Sequence, residues 1–410
     1  MDSRSFDRRR FLQGGAAGMA TLGLAGLPGL RSAASAAAPL FDPVGPIVPI
    51  RALPDRLFRI TVCLRPFRAT GPRIETEQVG RKLVVHNYGH GGSGWSLSWG
   101  SAALAVRKAL EAGGSGDIAV VGAGALGLTA ALTAQRAGAR SVTIYARERF
   151  PDVRSARATG TWSPDSRVAL AESVGPDFAA AWEQMTRLSF ATHQSYLGMP
   201  GTPVEWTDRY SLSDGQPSGS GAHGQSAVGG FIDLGDRVRD LTPRSQELAP
   251  GQHPFPTPFA RRSSSLTFNV SSLSHLLTED FLQAGGRIEH AEFHSPADLA
   301  KLKQKVIINC TGYGARALWK DESIVPVRGQ IAWLIPQDGV NYGISYKHLS
   351  VLARRDGIVV QDLGPDDRFG WNDANEAPDR AAAEASVAVL AEIFAGPGAP
   401  AAAPVPAVQG

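Results

Sequence analysis

The chain has 410 residues, long enough for two domains or one large α/β domain with a substantial core. Its 46 glycines and 28 prolines make it loop-rich, yet 43% hydrophobic residues exclude a disordered polymer, and two cysteines exclude both a disulfide-rich scaffold and a four-cysteine zinc site. Five of the 41 basic and two of the 38 acidic residues lie within residues 1–36, which leaves 36 of each sign, so the formal charge of +3 belongs to the leader and argues against a nucleic-acid binder.

The leader reads Asp7-Arg8-Arg9-Arg10-Phe11-Leu12-Gln13, which resembles a twin-arginine export signal. A weakly apolar stretch from Gly14 to Leu30 follows, too rich in glycine for a stable membrane span, and Ala34-Ser35-Ala36 offers a small-x-small cleavage site. Cleavage and export to the periplasm or medium are expected. Twin-arginine systems carry folded proteins, which suits a tightly held organic cofactor.

Residues 37–59 read as a Pro-rich arm. Short β-like runs follow at Ile60-Thr61-Val62 and Lys82-Leu83-Val84-Val85, split by Gly71-Pro72, and Ser101 to Ala112 has helical spacing that Gly113-Gly114-Ser115-Gly116 ends. Beyond a strand–turn–helix–strand unit from Asp117 to Tyr145, helical patterning recurs at Phe178–Tyr196, Leu273–Ala284 and Ala381–Phe394. Val306–Cys310 reads as a buried strand, and Leu349–Leu352 and Ile358–Gln361 flank a hairpin turn at Asp356-Gly357. Ser213–Gly224 reads as a flexible loop and Ala395–Gly410 as a disordered tail.

Gly122-Ala123-Gly124-Ala125-Leu126-Gly127 matches G-x-G-x-x-G, and so does Gly219–Gly224, so the motif alone decides nothing. Only the first match follows an apolar strand, opens a Pro-free helix and leads to a second strand, Val142-Thr143-Ile144-Tyr145. In that setting Gly122 permits the tight turn, Gly124 lets backbone approach a pyrophosphate, and Gly127 lets helix and strand pack closely. Ala125 and Leu126 open the helix whose free N–H groups meet the phosphate. Glu148 is placed to hold ribose hydroxyls, while Arg147 leaves open a 2′-phosphate and NADP.

The most specific string is His86-Asn87-Tyr88-Gly89-His90-Gly91-Gly92-Ser93-Gly94-Trp95-Ser96-Leu97-Ser98-Trp99-Gly100. Its glycines let backbone N–H groups face a flat or anionic ligand. A metal held by His86 and His90 is disfavoured because the glycine run does not align them on a helix, and an oxyanion turn is disfavoured because no G-x-S-x-G elbow accompanies it. A backbone cradle for a cofactor ring remains.

This string closely resembles the signature of the D-amino-acid oxidase family, FAD enzymes of the DAO superfamily, and the resemblance extends over most of residues 60–394. Cys63-Leu64-Arg65-Pro66-Phe67-Arg68, Val306–Gly312 and Arg328-Gly329-Gln330-Ile331 resemble family segments, and Tyr145-Ala146 and Thr161-Trp162-Ser163-Pro164 do so more loosely. The resemblance implies an α/β fold, a Rossmann-type FAD-binding domain plus a mixed-sheet substrate domain. It implies FAD held by Gly91, Gly92, Ser93, Gly94, Trp95, Ser96, Gly122, Gly124, Ala125, Leu126, Gly127, Glu148, Thr161, Trp162 and Gly312. The implied reaction is oxidative deamination of a small amino-acid substrate to a 2-oxo acid, ammonia and, with oxygen as acceptor, hydrogen peroxide. Arg65 is the implied clamp on the substrate α-carboxylate, with Gly92 beside it.

In the family the Arg-Pro segment and glycine run close the chain; here they come first, as in a circular permutant. The expected organisation is signal 1–36, arm 37–59, permuted segment 60–112, FAD-binding 113–199 and 271–325, substrate-binding 200–270 and 326–394, and tail 395–410. Where family members carry a carboxylate-holding tyrosine, this sequence offers Ser350, with Tyr346 and His348 nearby. A dehydrogenase with another electron acceptor and a non-catalytic flavin-binding protein are the alternative readings. A homodimer is compatible with the sequence, and pairing of Cys63 with Cys310 is left open.

Overall fold

Residues 47–112, 116–215 and 230–395 are described by the computed structural model of the chain. The leader, the Gly113–Ser115 joint, the second glycine match at 219–224 and the tail from 396 onward lie outside the described residues.

In chain order the first elements are β1 (Leu57–Arg68), β2 (Thr76–Val79), β3 (Lys82–His86), α1 (Gly94–Glu111), β4 (Asp117–Val121), α2 (Ala125–Arg136) and β5 (Ser141–Ala146). The middle holds α3 (Phe178–Gln194), β6 (Val204–Ser213), β7 (Gln246–Leu248), β8 (Phe259–Phe268), α4 (Val270–Gln283), β9 (Arg287–His290) and α5 (Pro296–Leu299). Then come β10 (Val306–Asn309), α6 (Ala315–Leu318), β11 (Ile324–Leu334), β12 (Gly343–Tyr346), β13 (Leu349–Arg354), β14 (Gly357–Asp362) and α7 (Arg380–Phe394).

The smaller sheet has the order β2-β3-β10-β4-β5-β9. Its last five strands are parallel and β2 is an antiparallel edge. The parallel strands read as continuous apolar runs because helices and loops cover both faces. Val85, Ile118, Val120 and Ile308 face α1, α2 and α4, whereas Val84, Ala119, Val121 and Ile307 face Leu299 of α5. Alanines meet where α1 and α2 pack, at Ala102, Ala105 and Ala109 against Ala130, Ala131 and Ala134, so the two helices approach closely.

The larger sheet, β1-β11-β14-β13-β12-β6-β8-β7, is antiparallel except where β12 lies parallel to β6. One face is apolar, with Ala332, Leu334, Ile344, Val351 and Val360 buried beneath Val387, Leu390 and Ile393 of α7. Because side chains alternate along a strand, the opposite face carries Cys63 and Arg65 of β1 beside Gly329 and Val327 of β11. β1 tolerates Pro66 because it is the edge strand, where a missing N–H breaks no ladder bond.

Two expectations are corrected. The helix predicted from Ser101 begins seven residues earlier, at Gly94, because the end of the glycine run forms its first turn. The arm predicted to run to Arg59 ends in a short 3-10 turn at Pro54–Arg56, and β1 starts at Leu57; Ile50 and Ala52 are already core residues beneath α7.

Candidate active site

The glycine turn after β4 has the geometry a dinucleotide requires. Gly122 sits at φ +107°, its N–H donates to the Tyr145 carbonyl at 2.8 Å, and a Cβ there would meet the Cys310 carbonyl at 2.5 Å. A Cβ on Gly127 would lie 1.9 Å from the Gly122 carbonyl, so the helix meets the strand only without one. Gly124 caps α2 without a side-chain acceptor, and no acidic residue occupies the first turn. The same holds for α1, whose N-cap Ser93 turns its hydroxyl away to donate to the Ser166 carbonyl at 3.0 Å. Two long helices thus present N-termini without an acidic residue or a cap from their own N-cap side chain, and an anion or an electron-rich ring edge is favoured there.

Both N-termini open on one cavity of about 560 Å³ that also reaches Arg65, Glu148, Gly312 and Gly329. Cβ atoms built on Gly94 and Gly312 would meet nothing within 4 Å, so these glycines border free space. Gly91 and Gly92 line the cavity too, but a second constraint fixes them. A Cβ on Gly91 would strike the Arg167 carbonyl at 1.9 Å, and the Gly92 N–H donates to the Ser166 carbonyl at 3.0 Å. The run therefore divides in two: Gly91–Ser93 pins the 166–167 loop, and Gly94–Ser96 begins α1. Ser155, which carries no sequence signature, joins the two helices: its hydroxyl accepts from the Ala125 N–H at 3.0 Å and its carbonyl from Trp95 Nε1 at 2.9 Å.

Glu148 borders the cavity, and its neighbour Arg147 is held between Glu148 at 2.9 Å and Glu292 at 3.1 Å. Arg147 lines the cavity as well, with its charge shared between these two carboxylates. Cys63 and Cys310 are free thiols on the wall. Burial pushes Cys310 up to about 12 and raises Cys63.

His86 and His90 do not converge on an ion. His86 bonds Glu77 at 2.9 Å and Asn309 at 3.1 Å, His90 Nε2 lies 2.8 Å from Ser101 Oγ, and among the described residues no cluster of three or more His, Cys, Asp or Glu side chains suits a metal. Ser101 itself donates to Asn87 Oδ1, so His90 must donate its Nε2–H to Ser101, and burial drives its pKa down to about 3.

Arg65 is the distinctive charge. Its guanidinium lies against Gly329, where a Cβ would come within 2.4 Å of Nη2, and it makes one long bond to the Arg328 carbonyl at 3.4 Å. The acidic residues near it in sequence are engaged elsewhere: Glu75 and Glu77 pair with Arg73 at 3.1 and 3.3 Å. Arginines 154, 157 and 167 each have a carboxylate within 3.5 Å. Among the described residues Arg65 has none, and burial lowers its pKa.

Several expected site residues lie away from this cavity. Trp162 packs in the core against Phe190 and Phe268, and Ser96 Oγ accepts from the Ser163 N–H at 2.9 Å. Tyr346 is on the α7 side of the larger sheet, opposite Arg65, with its hydroxyl donating to Asp214 at 3.1 Å. Ser350 is on the same face as Arg65, and both it and Thr161 accept from Arg209, at 3.2 and 3.0 Å.

This is the site of a dinucleotide-binding oxidoreductase fold: a βαβ glycine turn, two open helix N-termini and one cavity between two sheets. The family model described as DAO, FAD dependent oxidoreductase, matches residues 117–407, and the chain belongs to that family of FAD-dependent enzymes. Similar curated proteins include a D-amino-acid oxidase of Streptomyces coelicolor, 28% identical over 235 residues, covering 54% of this chain and 63% of that protein. One of Rubrobacter xylanophilus is 29% identical over 219 residues, covering 52% and 57%. One of Dictyostelium discoideum is 54% identical over 50 residues, covering 12% and 14%. The chain thus spans less than two thirds of the length of these relatives. Among solved structures, iminodiacetate oxidase from Chelativorans is matched at a TM-score of 0.47 and 16% identity, covering 68% of this chain and 79% of that one.

FAD fits the residues present. Gly94 and Gly312 border space that a Cβ would fill, and the first turn of α2 carries no acidic residue, its only side-chain acceptor being the neutral Ser155 hydroxyl on the Ala125 N–H.

Proposed function

We propose that the protein is an FAD-dependent oxidase that deaminates D-amino acids. The observation that carries this reading is Arg65, an unpaired guanidinium on the wall of the cavity that the two helix N-termini open into. The relatives named D-amino-acid oxidase support it.

In this reading α2 and Gly124 would hold the pyrophosphate, the α1 N-terminus at Gly94 would hold the ring, and Glu148 would hold the ribose. Bound FAD supplies a two-electron acceptor. Arg65 fixes the substrate carboxylate through two parallel charge-assisted bonds and so orients the Cα–H. Neither His90, kept neutral by burial, nor the raised Cys63 thiol is matched to take a substrate proton at neutral pH. Catalysis by the chain is then orientation and exclusion of water. The amino acid loses two electrons and two protons to give an imino acid, which water converts to a 2-oxo acid and ammonia. Dioxygen takes up two electrons and two protons as hydrogen peroxide.

The test is anaerobic mixing of the FAD-loaded protein with panels of D- and L-amino acids. Bleaching of the flavin by D-isomers is expected, followed by peroxide on admitting air. No bleaching by any amino acid sinks the reading; bleaching that oxygen does not reverse transfers it to a dehydrogenase.

We also propose that the chain order is a circular permutation, supported by the family match beginning at residue 117 while β3 pairs with β10 and α1 packs on α2. Both exchanged ends are rooted in one core, Leu57 and Ala52 on one side and Ile393 on the other. A rearranged chain running 117–395, a short linker, then 57–112 is expected to fold and bind FAD; failure to bind would refute permutation. Export through a twin-arginine route is proposed from the leader alone, and loss of periplasmic or secreted protein on Arg8→Lys with Arg9→Lys and Arg10→Lys would test it.

A further inference from the structure

The segment from Ser155 to Ser163 is tied at both ends to the first turn of α1. The Ser155 carbonyl accepts from Trp95 Nε1 at 2.9 Å, and the Ser163 N–H donates to Ser96 Oγ at 2.9 Å. Between these ties Ala158 and Thr159 line the cavity. Behind them lies Arg354 of β13, whose side chain is fully enclosed and is not on the cavity wall. Its Nε and Nη2 donate to Asp356 Oδ1 and Oδ2 at 2.9 and 2.6 Å, and its guanidinium carbon is 4.9 Å from the centroid of the Trp333 ring. Nη1 donates to the Ala158 carbonyl at 2.7 Å and, more weakly, to that of Thr159 at 3.4 Å. Gly160, at φ +91°, leaves room for the arginine stem, since a Cβ there would come within 3.2 Å of Arg354 Cδ.

The β13–β14 hairpin does not need a buried guanidinium to turn, and taking one out of water is costly even when a carboxylate pairs with it. Burial accordingly lowers the Arg354 pKa, with Asp356 opposing the shift. Peptide geometry shows what the pair accomplishes. The Ala158–Thr159 peptide is trans and planar, with C=O and N–H on opposite sides, so a carbonyl drawn to Arg354 sends the next N–H the other way. Fixing the Ala158 carbonyl thus turns the Thr159 N–H away from Arg354, toward the cavity side, and the Gly160 N–H is turned in the same sense by the Thr159 carbonyl. Among the described residues neither N–H has an acceptor. A cation at the oxygen end of a peptide also polarises it, which strengthens the N–H as a donor. Thr159 therefore presents an unused, polarised donor on the part of the cavity that the α1 N-terminus faces.

We infer that Arg354 is a positioning residue for the flavin: acting through the Ala158 carbonyl, it aims the Thr159 N–H at an electron-rich edge of the ring and makes the ring easier to reduce. This rests on the placement of the ring at the α1 N-terminus given above. A donor aimed at the ring stabilises it most after it has gained electrons, so the readout is the midpoint potential of the bound flavin. It is measured by equilibrium reduction of the full FAD-loaded chain against reference dyes. Thr159→Pro removes the donor and keeps the backbone, because Ala158 at φ −78°, ψ 152° already has the conformation that precedes proline. Arg354→Met combined with Asp356→Asn removes the clamp without leaving a buried carboxylate unpaired. Each is expected to lower the equilibrium constant for reduction at least tenfold, which is about 30 mV more negative for two electrons. Arg354→Lys, a point charge that does not serve Asp356 and the Ala158 carbonyl with one planar fork, should fall between wild type and the double variant. A Thr159→Pro protein that binds FAD at the wild-type potential overturns the inference. So does Arg354→Lys at the wild-type potential, whether or not the double variant folds. Dyes reduce the flavin without an amino acid, so these shifts in a protein that no amino acid bleaches would sink the oxidase reading and leave the role of Arg354 standing.

Discussion

Replacing Arg65 separates a substrate clamp from a structural charge. In the structure this guanidinium contributes one 3.4 Å bond to a carbonyl and no ion pair, while its burial disfavours its charge. Removing it therefore takes little from the folded state, and Arg65→Ala should melt within about 2 °C of wild type, the shift that about 0.5 kcal/mol gives in a protein of this size. Binding of a carboxylate is another matter. Each charge-assisted bond contributes about 1.5–3 kcal/mol, so losing two lowers kcat/KM by roughly 10²- to 10⁴-fold. Arg65→Lys restores a point charge without the planar fork and should recover only part of this. The assay is anaerobic stopped-flow reduction, expressed per bound FAD, beside a thermal melt of the same preparation. Unchanged reduction per flavin would refute the clamp, and so would a fall in melting temperature of 5 °C or more with activity lost in proportion to unfolded protein.

Three further outcomes are expected. Gly329→Ala puts a Cβ within 2.5 Å of both Arg65 terminal nitrogens, atoms at the free end of a flexible side chain; the protein should fold and bind FAD while KM for amino acids rises at least tenfold, and an unchanged KM would show that Arg65 is not held there for substrate. Gly127→Ala sets its Cβ against the Gly122 backbone at 1.9 Å, which cannot yield, so the purified protein should lack FAD; a yellow variant would refute the packing argument. Burial holds His90 near 3 and His193 near 4, below the ordinary 6.5 of an unfolded imidazole. The unfolded chain therefore binds more protons between about pH 6.5 and 4, and stability is full above that window and falls by about 1.4 kcal/mol per pH unit for each histidine as pH drops through it. Urea melts from pH 7.5 to 5 should show this slope, reduced in His193→Gln, and a flat profile would count against buried neutral imidazoles.

The dinucleotide turn was legible in the sequence because everything that defines it is local. A strand, three glycines, a helix and a second strand follow one another between Asp117 and Ala146, and Gly127 answers a contact within that unit while Gly122 answers one with Cys310 at the end of β10. Strand and helix patterning elsewhere was local in the same sense, which is why α2, α4, α7 and the β13–β14 hairpin stand close to where periodicity puts them. Periodicity misplaced the start of α1, since glycine and serine give no helical signal and the first turn forms where its N–H groups reach the cavity. Pairing across long stretches of chain decided the rest. The type of residue at position 65 is written in the sequence, but its want of a partner depends on where Glu75, Glu77 and Gly329 fall once β1 has paired with β11. Tyr346 and Ser350 are four residues apart, yet the β12–β13 turn puts them on opposite faces of one sheet, a consequence of pleat and register that composition does not encode. Arg209 is 144 positions from Arg65 and shares its sheet face only because six strands are stacked in a particular order, and that order is a property of the folded chain alone.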